Sequence, residues 1–337
     1  MISNAAAYYH SPTIWVGSSA PIVGADVDVS KLGEEVYRTT LSEGITAKVL
    51  REGMFVFDFS SWLPGRALPE SGVPDFDAVA AVILKRVTVL NAHLACLYAA
   101  LSRLQNFALE KMVVSPSDLI SLKSLDDTGM GFGDYRVAAL ALARYPSTYA
   151  QGIPTRLDWR IVLRSVIVKI ETVTESFRLL STILHHPDPD ALFLADLHVR
   201  SCKAYEDHNY ALCLVTAWTI AENLMQRLWN RYVDENRLRQ VAGTEVVFIN
   251  SDRKDKLIKS RDFTPSVISE ILSLTNRLPF ELYQEISKVR QARNEWLHDL
   301  RPVSRDDASR AVKTAEQMLS LVDKIDLALP LESQIHE

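Results

Sequence analysis

"DFDAVAAVILKRVTVLNAHLACLYAALSRLQNFALEKM", residues 75–112, is where the apolar pattern of the chain changes period. Val79, Ile83, Val87, Leu90, Leu94, Leu97 and Leu101 recur at steps of three and four, which stacks them on one side of a helix. One long helix is therefore expected over the whole stretch, linking an N-terminal region to the remainder of the chain. Upstream the signals are those of strands and turns: "TIWV" (13–16), then "GITAKVLREGMFVFDFSSWLPG" (44–65), where Phe55, Phe57 and Phe59 alternate and Gly53 suits a tight turn. The first 74 residues read as a small β-containing region.

Downstream, residues 113–156 are irregular, with "SPSD", "DDTGMGFGD" and "YPSTYAQGIP" around one short apolar run, "YRVAALALARY". Beyond them helical patterns are expected from Trp159 to about His185, Pro189 to about Tyr205, Asn209 to about Arg237, Pro265 to about Asn276, Phe280 to about His298 and Asp306 to about Leu327. Pro302 stops the fifth of these helices, and Ser304 or Asp306 caps the sixth. The long interruption, "VAGTEVVFINSDRKDKLIKSRDFTP", holds a short strand candidate, "VVFI", and a basic run read as a solvated loop. The fold class is mainly α. The expected domains are a small β-containing region (1–74), a long helix with a connecting region (75–155) and a helical bundle (156–337).

With 337 residues, 47% of them hydrophobic, the chain can bury a large core. Its formal net charge is -5. That excludes an overall basic surface for nucleic acid and leaves only local patches for the purpose. The N-terminus lacks a basic start followed by an apolar run, and no run of roughly 18 uninterrupted apolar residues occurs, so a cytoplasmic location with no membrane is expected. Cys96, Cys202 and Cys213 have no CxxC spacing and fall in helical patterns, which reads as buried thiols. No cofactor and no metal are expected. Gly129, Gly131 and Gly133 lack the preceding strand and the spacing of a phosphate loop, so they read as a turn. His185 and His186 have no further ligand at metal spacing and suit the negative end of a helix.

The chemistry concentrates in "KVRQARNEWLHDLRP", residues 288–302. Asn294 and His298 are four apart and share a helical face, and the long side chain of Arg293 reaches the same spot. Ile286, Val289, Trp296 and Leu300 form a separate apolar stripe that should anchor the helix. Arginine is a permanent forked cation suited to phosphate oxygens, and histidine exchanges a proton near neutral pH. Together they suffice to cleave RNA without a metal. The ribose 2′-hydroxyl attacks, His298 acts as base or acid, Arg293 stabilises the charge growing at phosphorus, and Asn294 holds a partner in position. Lys288 and Arg290 on the same helix, with Arg253, Lys254, Lys256, Lys259 and Arg261 from the basic run, would extend a track for phosphates.

An Arg, a polar residue, a short spacer and a His on a bundle helix resemble the signature of the HEPN family (higher eukaryotes and prokaryotes nucleotide-binding domain). "DHNYALCLVTAWTIAENLMQRLWNRYV" (207–233) is similar to that family's early long helix with its recurrent glutamate, here Glu222, and "SRDDASRAVKTAEQMLSLVDKI" to its closing helix. The resemblance covers about residues 190–327. It implies an all-α bundle pairing as a homodimer with the motif helices facing each other, Arg293, Asn294 and His298 as site residues, and Glu222 as a partner orienting the arginine or as a structural acid. Many members are metal-independent endoribonucleases acting as toxins, in antiviral defence or in RNA processing. Others are inactive interaction modules, which is the alternative here, with Arg293 merely paired to an acid such as Glu222. A nucleotide-binding regulator is a third class, but no phosphate loop supports it. The expected partners are RNA as substrate, a second copy of the chain through surplus apolar positions such as Leu297, Val312, Met318 and Leu319, and a protein inhibitor or trigger acting through the N-terminal region.

Overall fold

The computed structural model describes residues 4–10, 14–19, 22–23, 26–27, 31, 33–63, 75–122, 124–125 and 166–332. Two compact units result: Met1–Val199 with Glu332–Glu337, and Arg200–Leu331. They divide at 199/200, inside a helix, whereas the sequence pattern places divisions at 74/75 and 155/156. Eight α-helices make the chain mainly helical among the described residues, with the small β-containing region at the N-terminal side.

In the first unit a five-stranded antiparallel sheet has the order β5-β6-β7-β1-β8 (β1 Ala5–Tyr9, β5 Glu35–Thr40, β6 Thr46–Leu50, β7 Met54–Asp58, β8 Ile120–Leu122). The alternation expected around Phe55 and Phe57 is real, but both faces of the central strands β1 and β7 are buried, while the edge strand β5 has no buried residue. Ala5, Ala7, Met54, Val56 and Ile120 pack on one side. On the other, Tyr8 stacks on Phe55 at 5.2 Å and Phe57 meets Phe177 at 5.8 Å. Gly53 turns β6 into β7 at φ +82°, and a Cβ there would lie 2.6 Å from the Ile14 carbonyl oxygen, so only glycine fits.

Helix α1 (Phe76–Gln105) is capped by Asp75, whose carboxylate accepts from the Ala78 amide. It ends at Asn106, in the left-handed region at φ 48°, and not at Met112 as the periodicity implied; asparagine tolerates that conformation and stops the helix. From Val89 to Leu101 every residue is buried, so this part of α1 is a core helix with no solvent face, whereas Phe76–Lys85 keeps exposed positions such as Phe76 and Leu84. It is long and apolar enough to cross a membrane by length and composition, yet it packs along α2 (Ile170–Leu184) as a core helix does. The helix expected from Trp159 begins only at Ile170. Val166–Val168, β-branched throughout, forms β9 and pairs in parallel with β2 (Ile14–Val16). Residues 159–165, the glycine cluster at 129–133 and the run "YRVAALALARY" lie outside the described residues. Short strands β3 (Ile22–Val23) and β4 (Asp26–Val27) pair antiparallel. His185 caps α2, its Nδ1 3.0 Å from the Ser181 carbonyl oxygen, as the dipole argument expected.

Helix α3 (Ala191–Glu206) carries the chain across the division into the second unit. There α4 (Tyr210–Glu235), α6 (Pro265–Leu274), α7 (Phe280–Asp299) and α8 (Arg305–Met318) pack into a bundle. Asn209 caps α4 through the Leu212 amide and Ser304 caps α8 through the Asp307 amide. α8 ends earlier than expected, passing into a π-helical turn, Leu319–Asp323. This turn buries Asp323 where Arg227 of α4 donates to it at 2.8 Å. Cys96, Cys202 and Cys213 are all buried thiols, and burial pushes the Cys213 thiol up to about 12.

The interruption between α4 and α6 is more ordered than its sequence suggested. Leu238–Val241 (β10) and Thr244–Val247 (β11) form a hairpin over Ala242 and Gly243, both at positive φ, the mirror-image turn that suits strand twist. The basic run is not a loop but helix α5 (Ser251–Lys259), capped by Asn250. Leu300 is 81% exposed as the left-handed cap of α7 and Trp296 is only half-buried, so Leu282, Ile286 and Val289 anchor the helix instead. Val312, Met318 and Leu319 are fully buried inside the bundle and are not surplus; of the four positions named, only Leu297 remains exposed.

Candidate functional site

The polar face of α7 borders an open cleft of about 750 Å³ in the second unit. Ser287, Gln291, Asn294 and His298 recur at steps of four, three and four, which places them in a row along one face of the helix, with Arg290 and Arg293 flanking it. The opposite wall is α4, contributing Trp218 and Glu222 one turn apart. Trp218 is buried and forms the apolar floor. One end is closed by Thr264, Pro265 and Ser266, where α6 starts with Thr264 as its cap and Pro265 in its first turn.

The structure therefore brings together Arg293, Asn294, His298, Glu222, Lys288 and Arg290 on one cleft. Arg253, Lys254, Lys256, Lys259 and Arg261 do not line it. They lie on or beside α5, with Lys254 paired to Asp234 and Lys259 to Asp255.

Within the cleft the side chains differ in how many partners they already hold. Arg293 donates to the Asn294 amide oxygen at 3.1 Å, a local contact that directs one arm of the guanidinium and leaves its other donors to the cleft. Lys288 pairs with Glu285 at 2.6 Å. Glu295 accepts from Gln291 at 2.8 Å and from Arg301 at 2.6 Å, so its charge is already compensated. Among the described residues the side chains of Glu222, Arg290 and His298 make no hydrogen bond or ion pair, and Arg293 forms no ion pair with Glu222 or any other acid. The cleft thus presents two guanidinium groups without an acidic partner beside an exposed imidazole, donors of the kind that can hold an anion. No group of three His, Cys, Asp or Glu residues stands together as a metal-ligand set among the described residues.

Sequence reasoning missed Trp218, Thr264, Ser266, Ser287 and Gln291. Ser287 and Gln291 were legible, because they continue the helical row that contains Asn294 and His298. The start of α6 carried no such signal, since only packing of α6 against α4 and α7 brings it to the cleft.

A second polar cluster lies in the first unit and is closed. His93 on α1 accepts at Nδ1 from the Tyr8 hydroxyl (2.8 Å), and its Nε2 faces Ser176 Oγ at 3.2 Å. Ser176 Oγ donates to the Val173 carbonyl at 2.7 Å, which assigns the His93 proton to Nε2. All three side chains are buried, and burial pushes the His93 pKa down to about 3, so the ring is neutral. With its hydrogen bonds satisfied and aromatic rings around it, the cluster is a structural network.

Comparison with family models, curated proteins and solved structures finds no match to this chain.

Proposed function

We propose that the chain is a metal-independent endoribonuclease of the HEPN type, acting as a homodimer in a toxin or antiviral defence role in the cytoplasm. The observation that carries this reading is the convergence of Arg293, His298 and Glu222 on one solvent-open cleft where Arg293 forms no ion pair with an acid. The same observation disfavours the inactive adaptor, which needed Arg293 paired to an acid such as Glu222.

His298 removes the proton from a ribose 2′-hydroxyl as the oxygen attacks the adjacent phosphorus. The P–O5′ bond breaks, and a protonated imidazole, His298 of the same or the facing copy, returns a proton to the leaving 5′-oxygen. The products carry a 2′,3′-cyclic phosphate and a 5′-hydroxyl. Arg293, aimed by Asn294, stabilises the extra negative charge on the phosphorane oxygens, and Arg290 holds a neighbouring phosphate. Glu222 faces the same cleft and supports the orientation of the cationic groups once the substrate is bound. Leu297, exposed beside His298, offers the apolar contact for a second copy.

The test is cleavage of an RNA oligonucleotide by the purified chain in excess EDTA, beside Arg293→Ala, His298→Ala and a substrate with a single 2′-deoxy position at the scissile step. Cleavage that persists in EDTA and stops with either variant or the deoxy substrate is expected. Undiminished cutting of the deoxy substrate, or activity that needs added magnesium, would refute the mechanism.

A further inference from the structure

We infer that the β10–β11 hairpin and α5 form a separate binding site for single-stranded nucleic acid, centred on Phe248 with the guanidinium groups of Arg239 and Arg253 over its ring. The guanidinium carbon of Arg239 lies 3.8 Å from the Phe248 ring centroid and that of Arg253 lies 4.5 Å from it. The Arg253 guanidinium donates only to the Phe248 carbonyl, at 3.0 Å, and the Arg239 side chain has no hydrogen bond or ion pair among the described residues. Neither cation is therefore neutralised.

Three more cations in the module, Arg237, Lys256 and Arg261, also have no acidic partner among the described residues. Across residues 237–262 seven Lys and Arg face four Asp and Glu, on a chain whose formal net charge is -5. A locally positive module on an acidic protein selects a polyanion over an acidic surface of the same chain.

This cluster supplies the second requirement. Cations over an aromatic ring on the exposed hairpin offer guanidinium and ring surfaces on which nucleobases stack regardless of sequence. Phosphates on either side of the stacked base would meet Arg237 and Lys256.

The module is also held in place before any ligand arrives. The Phe248 amide donates to the Arg237 carbonyl at 2.9 Å, Ile249 is buried, and Trp229 Nε1 of α4 donates to the Leu257 carbonyl of α5 at 2.9 Å. Trp229 in turn stacks on Phe263 at 5.4 Å. Hence the arginine planes require little ordering on binding.

The location ties the module to the cleft. Helix α4 runs from Glu222 in the cleft to Glu235 just before the hairpin, about 20 Å at the helical rise per residue. A single strand of several nucleotides spans that distance, so an RNA cut in the cleft can be gripped at the hairpin. In that respect the inference rests on the proposed ribonuclease reading, but binding at the hairpin is measurable without cleavage.

The hairpin also exposes Leu238, Val241, Val246 and Val247, which a protein partner could cover instead. The experiment separates the two. Fluorescence anisotropy is measured with an oligouridine of about 12 nucleotides in which every 2′-hydroxyl is methylated, so that the proposed chemistry cannot cut it. Phe248→Ala and the double variant Arg239→Gln, Arg253→Gln should each weaken binding about tenfold, the loss of one stacked base. Phe248→Trp should restore it, which a merely misfolded hairpin would not allow. A second double variant, Arg237→Gln with Lys256→Gln, should lower the slope of log affinity against log salt by about 1.4, two phosphate contacts on a single strand. Affinity and salt slope unchanged in these variants would overturn the inference while leaving the cleft reading intact. So would Leu238→Ser and Val247→Ser altering self-association while the Phe248 variants bind RNA normally. A protein that binds the probe through the hairpin yet cleaves no RNA would instead retain this site and remove the catalytic reading.

Discussion

Replacing His93 should change how the first unit responds to acid. In the folded chain burial holds the His93 pKa at about 3, because the ring sits among Phe55, Phe57 and Phe177, the last at 4.4 Å, and no carboxylate compensates a charge there. In the unfolded chain the same ring titrates near 6.5. The folded value is the depressed one, so the unfolded state takes up the proton first as pH falls. The stability is fully present above about pH 6.5 and is lost progressively toward pH 3. Each unit within that window corresponds to about 1.4 kcal/mol, which makes about 2 kcal/mol lost by pH 5 and about 5 kcal/mol by pH 3. His93→Gln keeps an acceptor for Tyr8 and a donor for Ser176 but cannot titrate; His93→Phe keeps a ring and loses both bonds. Hydrogen exchange of peptides from Val87–Leu101, corrected for intrinsic rates, reads the opening free energy of α1 across the range. Wild type should lose stability with a slope steeper by one proton than either variant between pH 6 and 4, because the other titrating groups are shared and cancel in the difference. Parallel curves would show that His93 is not held neutral by burial and would refute the argument.

The remaining expectations concern the second unit. Val289→Ala should destabilise it by about 2 kcal/mol or more, while Trp296→Ala, half-buried, should cost about 2 kcal/mol at most, well below the loss for a fully buried tryptophan. Urea unfolding giving Trp296 the larger loss by a wide margin would contradict the observed faces of α7. Arg293→Ala and His298→Ala should each reduce RNA cleavage by at least a hundredfold with little change in melting temperature, since His298 is exposed and Arg293 makes one local hydrogen bond. Light scattering should give a dimer at micromolar concentration that Leu297→Asp dissociates; a wild-type monomer would remove the facing-copy proton donor from the mechanism.

What the sequence determined by itself is what short-range periodicity encodes. Three- and four-residue spacing marked α4, α6 and α7 to within a few residues, and alternation marked β6 and β7 around Gly53, because these patterns depend only on which side of a local element a residue faces. The row Asn294–His298 with Arg293 beside it was visible for the same reason. The stopping point of α1 depended on one residue, Asn106, entering the left-handed region, where asparagine's low penalty decides between continuing and ending. Burial of Val89–Leu101 of α1 on all sides, and of both faces of β1 and β7, was not legible, since a stripe of seven aliphatic positions reads the same whether the remaining faces meet water or protein. Val312, Met318 and Leu319 looked surplus until the bundle enclosed them. The cleft is a tertiary product in the same sense. Glu222 stands some seventy residues before His298 in the chain, and Thr264 and Ser266 sit on a third helix, so only packing of α4, α6 and α7 brings their polar groups to one place. The cluster of Arg239, Phe248 and Arg253 likewise arises because the Ala242–Gly243 turn returns β11 alongside β10 and brings two arginines from different elements over the Phe248 ring.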